Sequence, residues 1–252
     1  MASEIGVIVC GALGKVGRTV VAAVEAEPDM HLAGAVDLDD DLIEALARGN
    51  VMVDFTAPNA AFDNAQAAIA AGVAPVVGTT GMSGDQVDEL AASADRAQTG
   101  GAVIPNFAIG AVLMMRLAEI AAPYFDAVEV IEAHHATKLD APSGTALSTA
   151  RRLGAARRQP FAYSRPEKVT LDHTRGGEEG AVGVHSLRLP GLVADQEILF
   201  GAQGQTLSIA HRTTSREAFM PGVLATVRAV LRERRFFRSL DDVLGLPPLG
   251  AP

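Results

Sequence analysis

The sequence predicts an α/β protein in two domains, the first built on a parallel sheet and the second, α+β in class, on a mixed or antiparallel sheet. Three observations predict it. Up to about residue 105, short apolar β-branched runs alternate with stretches of helical period, as in a parallel sheet covered on both faces. Past Asn106 that alternation stops. The later strands then follow one another across glycines, with no helix between them.

The elements follow in order. Ile5–Cys10 is the first strand and Lys15–Glu27 an amphipathic helix. His31–Val36 and Val51–Phe55 are strands, Ala57–Ala71 an alanine-rich helix, and Ala74–Val77 a short strand. Gly84–Gln98 is a helix with a polar face, and Ala102–Pro105 closes the series. Ile109–Ala122 is helical, Ala127–His135 is a longer strand, and Thr145–Ala156 is helical again. The strands Val182–Leu189, Glu197–Gly201 and Thr206–Thr213 complete the second domain. Met220–Arg232 carries an apolar stripe (Val223, Leu224, Val227, Val230, Leu231) suited to covering a parallel sheet, so the chain is expected to finish on the first domain. Leu240–Leu244 makes one more turn, and the end is loop. The domains are therefore residues 1–108 with 216–252, and residues 109–215.

Composition narrows the function. Hydrophobic residues make up 48% and charged residues 20%, a globular balance. The net charge of −9 with no basic stripe argues against a nucleic-acid partner. The clusters Arg151, Arg152, Arg157, Arg158 and Arg232, Arg234, Arg235, Arg238 read as solvated helix faces. The single cysteine, Cys10, ends a buried strand and reads as core packing, which leaves neither a thiol nucleophile nor a cysteine metal site. No apolar run is long enough to span a bilayer, and the start lacks a basic signal-like region. A cytoplasmic enzyme with no metal and no membrane partner is the expectation.

Between the first strand and the first helix stands Gly11-Ala12-Leu13-Gly14-Lys15-Val16-Gly17. Glycine lets backbone approach a pyrophosphate, and the helix that follows offers free N–H groups and the positive end of its dipole. Asp37 follows Gly17 by twenty residues, at the end of the second strand, where an acid can hold an adenosine ribose hydroxyl. Strand, glycines, helix, strand and acid in that order predict a Rossmann-type dinucleotide site. Asp37-Leu38-Asp39-Asp40-Asp41 holds four carboxylates in five residues, a poor place for a 2′-phosphate. Lys15 and Arg18 offset these in part, so NADH is expected to serve at least as well as NADPH.

Two further loops, Gly78-Thr79-Thr80-Gly81 and Ile104-Pro105-Asn106-Phe107, lie beyond the carboxyl ends of strands, where ligands bind in open α/β sheets. In the second domain, His134, His135, Lys138 and a helix start at Ser143-Gly144-Thr145 crowd into twelve residues. That combination suits holding an anion and delivering a proton.

These segments resemble the dihydrodipicolinate reductase family. The resemblance is carried by GALGKVG, DFTAP (Asp54–Pro58), GTTG, PNFAIG (Pro105–Gly110) and HHxxKxDAPSGTA, and also by His185-Ser186-Leu187-Arg188 and Pro221-Gly222-Val223-Leu224. It runs from Ile5 to about Leu246. It implies NAD(P)H-dependent reduction of a small cyclic dicarboxylate, 4-hydroxy-tetrahydrodipicolinate (dihydrodipicolinate), to tetrahydrodipicolinate in lysine and diaminopimelate biosynthesis. It implies His134 as proton donor and acceptor, Lys138 as a second donor, His135 in contact with substrate, and the amides of Gly144 and Thr145 on a carboxylate. For the cofactor it implies Gly11, Ala12, Leu13, Gly14, Lys15, Val16, Asp37, Gly78, Thr79, Thr80 and Ile104 to Phe107, through Pro105 and Asn106. It also implies a homotetramer built through the second domain's sheet. The chain departs from many relatives at Thr137 and Asp195, where histidines are frequent. The alternatives are another two-domain dehydrogenase of amino or hydroxy acids, and a non-catalytic dinucleotide sensor.

Overall fold

A computed structural model describes residues 4–247; residues 1–3 and the end of the expected loop tail, 248–252, lie outside the described residues. In chain order the elements begin β1 (Ile5–Cys10), α1 (Gly17–Glu25), β2 (Met30–Val36), α2 (Leu42–Leu46), β3 (Val51–Asp54) and α3 (Pro58–Ala70). They continue β4 (Ala74–Val77), α4 (Gly84–Arg96), β5 (Gly101–Val103), α5 (Ile109–Ala121), β6 (Ala127–His134) and α6 (Gly144–Ala155). The last are β7 (Gly177–Glu179), β8 (Val182–Arg188), β9 (Ala194–Ala202), β10 (Gln205–Thr213), α7 (Met220–Glu233), β11 (Phe236–Phe237) and α8 (Leu240–Val243). Two compact units result: the chain up to Ile109 with Arg216–Leu246, and Gly110–Ser215.

The first unit is a Rossmann-type domain. Its six-stranded sheet runs β11-β5-β4-β3-β1-β2, with every pairing parallel. The inner strands are apolar without alternation because both faces are covered; Val7, Ile8, Val9, Val51, Met52 and Val53 are fully buried. α7 packs on β3, β4 and β5 and buries Val223, Val227 and Val230 there. Pro58 starts α3, and a reciprocal Ser83–Gln86 capping box starts α4. The helix expected from Lys15 begins two residues later, because Gly14 N–H donates to Gly11 O (2.9 Å) and closes a turn first. Two elements were too short to show a period: α2, capped by the Asp41 side chain, and β11, two residues that extend the sheet beside β5.

The second unit is a five-stranded mixed sheet in the order β10-β9-β6-β8-β7. β6 and β8 pair in parallel and the other neighbours antiparallel. α6 covers β6 and β8, so Val128, Val130 and Glu132 are buried on alternate positions of β6. The opposite side leaves Leu187 and Leu199 exposed by 47% and 36%. The arginines do not all lie on solvated faces as expected. Arg152 pairs with the buried Glu119, Arg157 stands 4.1 Å over the Phe161 ring, and Arg235 stands 4.0 Å over Phe237. Arg152 and Arg157 are half-buried, whereas Arg235 stays exposed.

Candidate active site

One candidate site is built within the first unit, at the carboxyl ends of the parallel strands. β1 ends at Cys10, and Gly11 turns the chain at φ +76°. Gly11 and Ala12 N–H both donate to Val36 O (2.9 and 3.2 Å), which stitches the glycine loop to the end of β2. Leu13 N–H donates to Asp37 Oδ2 at 3.0 Å, so the expected acid and the expected loop are joined directly. The other Asp37 oxygen accepts from Leu38 N–H, and Asp37 N–H donates to Asp40 Oδ2. A methyl on Gly17 would lie 2.0 Å from Gly11 O, so only glycine allows α1 to approach this closely. Lys15 is exposed, Val16 sits at the start of α1, and Arg18 folds back to donate to Leu13 O. A cavity of about 470 Å³, lined by Gly11, Gly14, Asp37, Leu42, Phe55 and Asn59 among others, opens beside the loop. Its size and its glycine cradle fit a nucleotide.

The loops after β3, β4 and β5 form one assembly. Asp54, the last residue of β3, is fully buried. Its Oδ1 accepts from Thr56 N–H (3.0 Å), Thr56 Oγ1 (2.8 Å) and Thr79 Oγ1 (2.9 Å), and its Oδ2 from Asn64 Nδ2 (2.8 Å). Gly78 N–H donates to Asp54 O and Ile104 N–H to Val77 O, while the Phe55 and Phe107 rings stand 5.8 Å apart. Asn106 Oδ1 accepts from Ala108 N–H at 2.9 Å. Gly78–Thr80 and Ile104–Phe107, separate loops in the sequence, lie side by side in the structure. The Ile104 and Phe107 side chains point into the core, whereas Thr80 and Pro105 are exposed.

A second candidate site lies within the second unit. His134 closes β6, and its Nδ1 is 2.5 Å from Oε2 of Glu132, two residues back and so on the same face. Glu132 is fully buried. Arg188 grips both its oxygens (2.9 and 2.8 Å), and Ser143 N–H donates to it as well. Burial alone would raise the Glu132 carboxyl, but hydrogen bonds from Arg188, Ser186 and His134 outweigh it and hold the group below the usual carboxylate range. For His134, burial lowers the imidazole below its ordinary value, Glu132 works against that, and the Lys138 and Arg188 charges add to the lowering.

Lys138 Nζ pairs with Asp140 Oδ1 at 2.7 Å, and Arg188 also donates to Asp140 O. Thr137 bonds the His135 Nδ1 through its hydroxyl at 2.9 Å. Asp195 accepts from Thr213 N–H. Ser143 caps α6 by accepting from Ala146 N–H, which sets Gly144 and Thr145 in the first turn of a twelve-residue helix. The structure thus brings His134, His135, Lys138, Gly144 and Thr145 into one loop and its flanks. Glu132 is not singled out by the sequence, and Arg188, Asp140 and Asp54 stand in motifs there without a role of their own. For Glu132 the signal was present: an acid two residues before a histidine on a strand shares its face.

Among the described residues, no group of three or more His, Cys, Asp or Glu could hold a metal ion, and no helix is long and apolar enough to cross a membrane.

Similarity to known proteins covers both units. The family described as dihydrodipicolinate reductase, N-terminus, matches residues 5–107, and its C-terminus counterpart matches residues 110–244. The chain is 44% identical to 4-hydroxy-tetrahydrodipicolinate reductase of Thermosynechococcus vestitus, over 97% of this chain and 98% of that one. It is 42% identical to the same enzyme of Syntrophomonas wolfei, over 97% and 100%. Among solved structures, a dipicolinate-bound dihydrodipicolinate reductase from a Paenisporosarcina species superposes with a TM-score of 0.86 at 35% identity, covering 95% of this chain and 99% of that one. GenD2 of gentamicin A biosynthesis, solved with NAD, covers 97% of this chain and 91% of its own with a TM-score of 0.66 at 18% identity, a likeness of fold alone.

Proposed function

The chain belongs to the dihydrodipicolinate reductase family, and from that premise we propose which of its residues carry the reaction. It is an NAD(P)H-dependent oxidoreductase that reduces 4-hydroxy-tetrahydrodipicolinate to tetrahydrodipicolinate, a step of lysine and diaminopimelate biosynthesis. Bound reduced nicotinamide supplies the hydride. The residue assignments that follow are our reading.

Residues 1–108 with 216–252 hold the dinucleotide. The loop Gly11–Val16 and the first turn of α1 take the pyrophosphate, and Asp37 takes the adenosine ribose. Gly78–Thr80 and Ile104–Phe107 line the nicotinamide end. Asp37 already orders the glycine loop through Leu13 N–H and keeps room to accept a ribose hydroxyl. With Asp39 and Asp40 beside it, NADH is used at least as well as NADPH.

Residues 109–215 hold the cyclic dicarboxylate. The amides of Gly144 and Thr145 take one carboxylate, and His135 and Lys138 add positive charge or donors. The observation that carries the assignment is the Glu132–His134 contact. It pins Nδ1–H toward the buried carboxylate, so Nε2 is the nitrogen left to hold and give a proton. Incoming carboxylates favour imidazolium and so supply the proton that His134 lacks in the free protein near neutral pH. Lys138 leaves Asp140 to meet the substrate and acts as a second donor.

We further place the protein in the cytoplasm, in keeping with its one buried thiol. The exposed Leu187 and Leu199 on the open sheet face support a homotetramer closed through that face. The reaction itself is tested by adding the condensation product of pyruvate and aspartate semialdehyde and following loss of nicotinamide absorbance. No turnover would overturn the reading.

A further inference from the structure

Asp54 has a feature that the hydride-transfer scheme does not use. It is a fully buried acid whose partners are a backbone amide, two hydroxyls and a side-chain amide, with no arginine or lysine among them. A buried carboxylate held by neutral donors keeps its negative field, whereas one gripped by arginine, as Glu132 is, has that field cancelled locally. The field reaches neighbouring groups: burial first, then Asp54, then Asp37 push the Cys10 thiol at the end of β1 up to about 12. Asp54 also holds Thr79 directly, in the middle of the loop read as the nicotinamide end.

We propose that Asp54 is a positioning residue for hydride donation. Its carboxylate fixes the Gly78–Thr80 loop and, as a buried uncancelled charge, favours the oxidised nicotinamide over the reduced one. The chemistry sets the sign. A hydride takes a proton and two electrons from a neutral dihydronicotinamide ring to the substrate carbon, and the ring left behind carries one positive charge. A fixed negative charge nearby stabilises that product and the partial charge in the transition state, and barely touches the neutral ring. This inference rests on the cofactor reading above.

The test is a pair of dissociation constants measured without turnover, for NADH by fluorescence and for NAD⁺ by calorimetry. In Asp54→Asn the ratio Kd(NAD⁺)/Kd(NADH) should rise about threefold or more over the wild-type ratio. Thr79→Ala cuts the tether and leaves the charge, so both constants should rise together with the ratio within about twofold of wild type. An unchanged ratio in Asp54→Asn, with either constant altered or not, overturns the proposal and reduces Asp54 to a scaffold. Should Asp54→Asn not fold, the double variant Asp54→Asn/Asn64→Asp restores the donor–acceptor contact and one carboxylate. Its ratio should stay near wild type, and a threefold rise there would count against the charge. A wild-type protein that binds neither nucleotide would sink the cofactor reading itself, an outcome distinct from an unchanged ratio.

Discussion

Oε2 of Glu132 and Nδ1 of His134 lie 2.5 Å apart at the end of β6, with the carboxylate fully buried and the imidazole half-buried. Strand geometry creates the contact, since residues two apart stand on one face about 6.5–7 Å apart along the chain. Arg188 reaches the same carboxylate from β8, paired in parallel so that Arg188 is level with His134. One acid therefore contacts the proposed proton donor and neutralises a half-buried arginine.

The His134 imidazole sits below its ordinary value of 6.5, chiefly through burial. As a donor it must be protonated, so kcat/KM should climb as pH falls from about 8 through that lowered value, then level off. Stability should move the other way. The unfolded histidine takes its proton near 6.5 and the folded one at lower pH, so the folded state loses stability as pH drops below about 6.5. Glu132, lowered in the folded state, adds a loss at lower pH, below its ordinary value of 4.5. Rate profiles and melting curves of wild type and His134→Ala check both. An alkaline fall in the rate that persists unchanged in the variant contradicts the assignment.

Removing Glu132 leaves Arg188 and His134 without their shared partner in a buried setting. Glu132→Ala should cost roughly 3–5 kcal/mol of stability, and Glu132→Gln less. In Glu132→Gln, turnover should fall by about 10²-fold with NADH affinity near normal, because the loss is one of imidazole orientation. Denaturant titration and steady-state kinetics separate the effects. Wild-type kcat in Glu132→Gln would show that orientation does not matter.

His134→Ala and Lys138→Ala should each lower kcat by about 10²- to 10⁴-fold and leave the NADH dissociation constant within about twofold. Asp140→Asn frees Lys138 from its 2.7 Å ion pair, so its KM for the dicarboxylate should fall or hold rather than rise. Two alanine variants with near-normal turnover would remove both donors from the mechanism.

Cofactor preference should follow Asp37. Wild type is expected to use NADH at least as well as NADPH, and Asp37→Ser should move the kcat/KM ratio toward NADPH by about tenfold, or 1.4 kcal/mol. The same variant loses the acceptor of Leu13 N–H, so NADH affinity should drop too. Assays of both nucleotides at low salt decide this. A wild-type preference for NADPH of tenfold or more would mean that Lys15 or Arg18 outweighs the acids.

Light scattering at micromolar concentration should give four times the mass of one chain. Leu199→Arg, on the exposed sheet face, should shift the protein toward smaller species without unfolding it. A wild-type monomer would refute the assembly.

Local sequence determined a good deal of this protein. Period-two and period-3.6 patterns located the long elements. The order of strand, Gly11–Gly17, helix, strand and Asp37 pointed to a dinucleotide loop, and the run from His134 to Thr145 to the anion and proton site proposed above. These features are legible because each depends on neighbours within a turn or a strand. The short elements α2, β7 and β11 were not, since no period develops over so short a span and no apolar run marks them. Tertiary structure alone decided which distant groups meet. Asp54 finds Thr79 25 residues away, Glu132 finds Arg188 56 residues away, and Leu13 reaches Asp37 only because β1 and β2 are sheet neighbours. A buried carboxylate takes whatever donors the packed strands bring within about 3 Å, and strand order, not residue spacing, sets that choice.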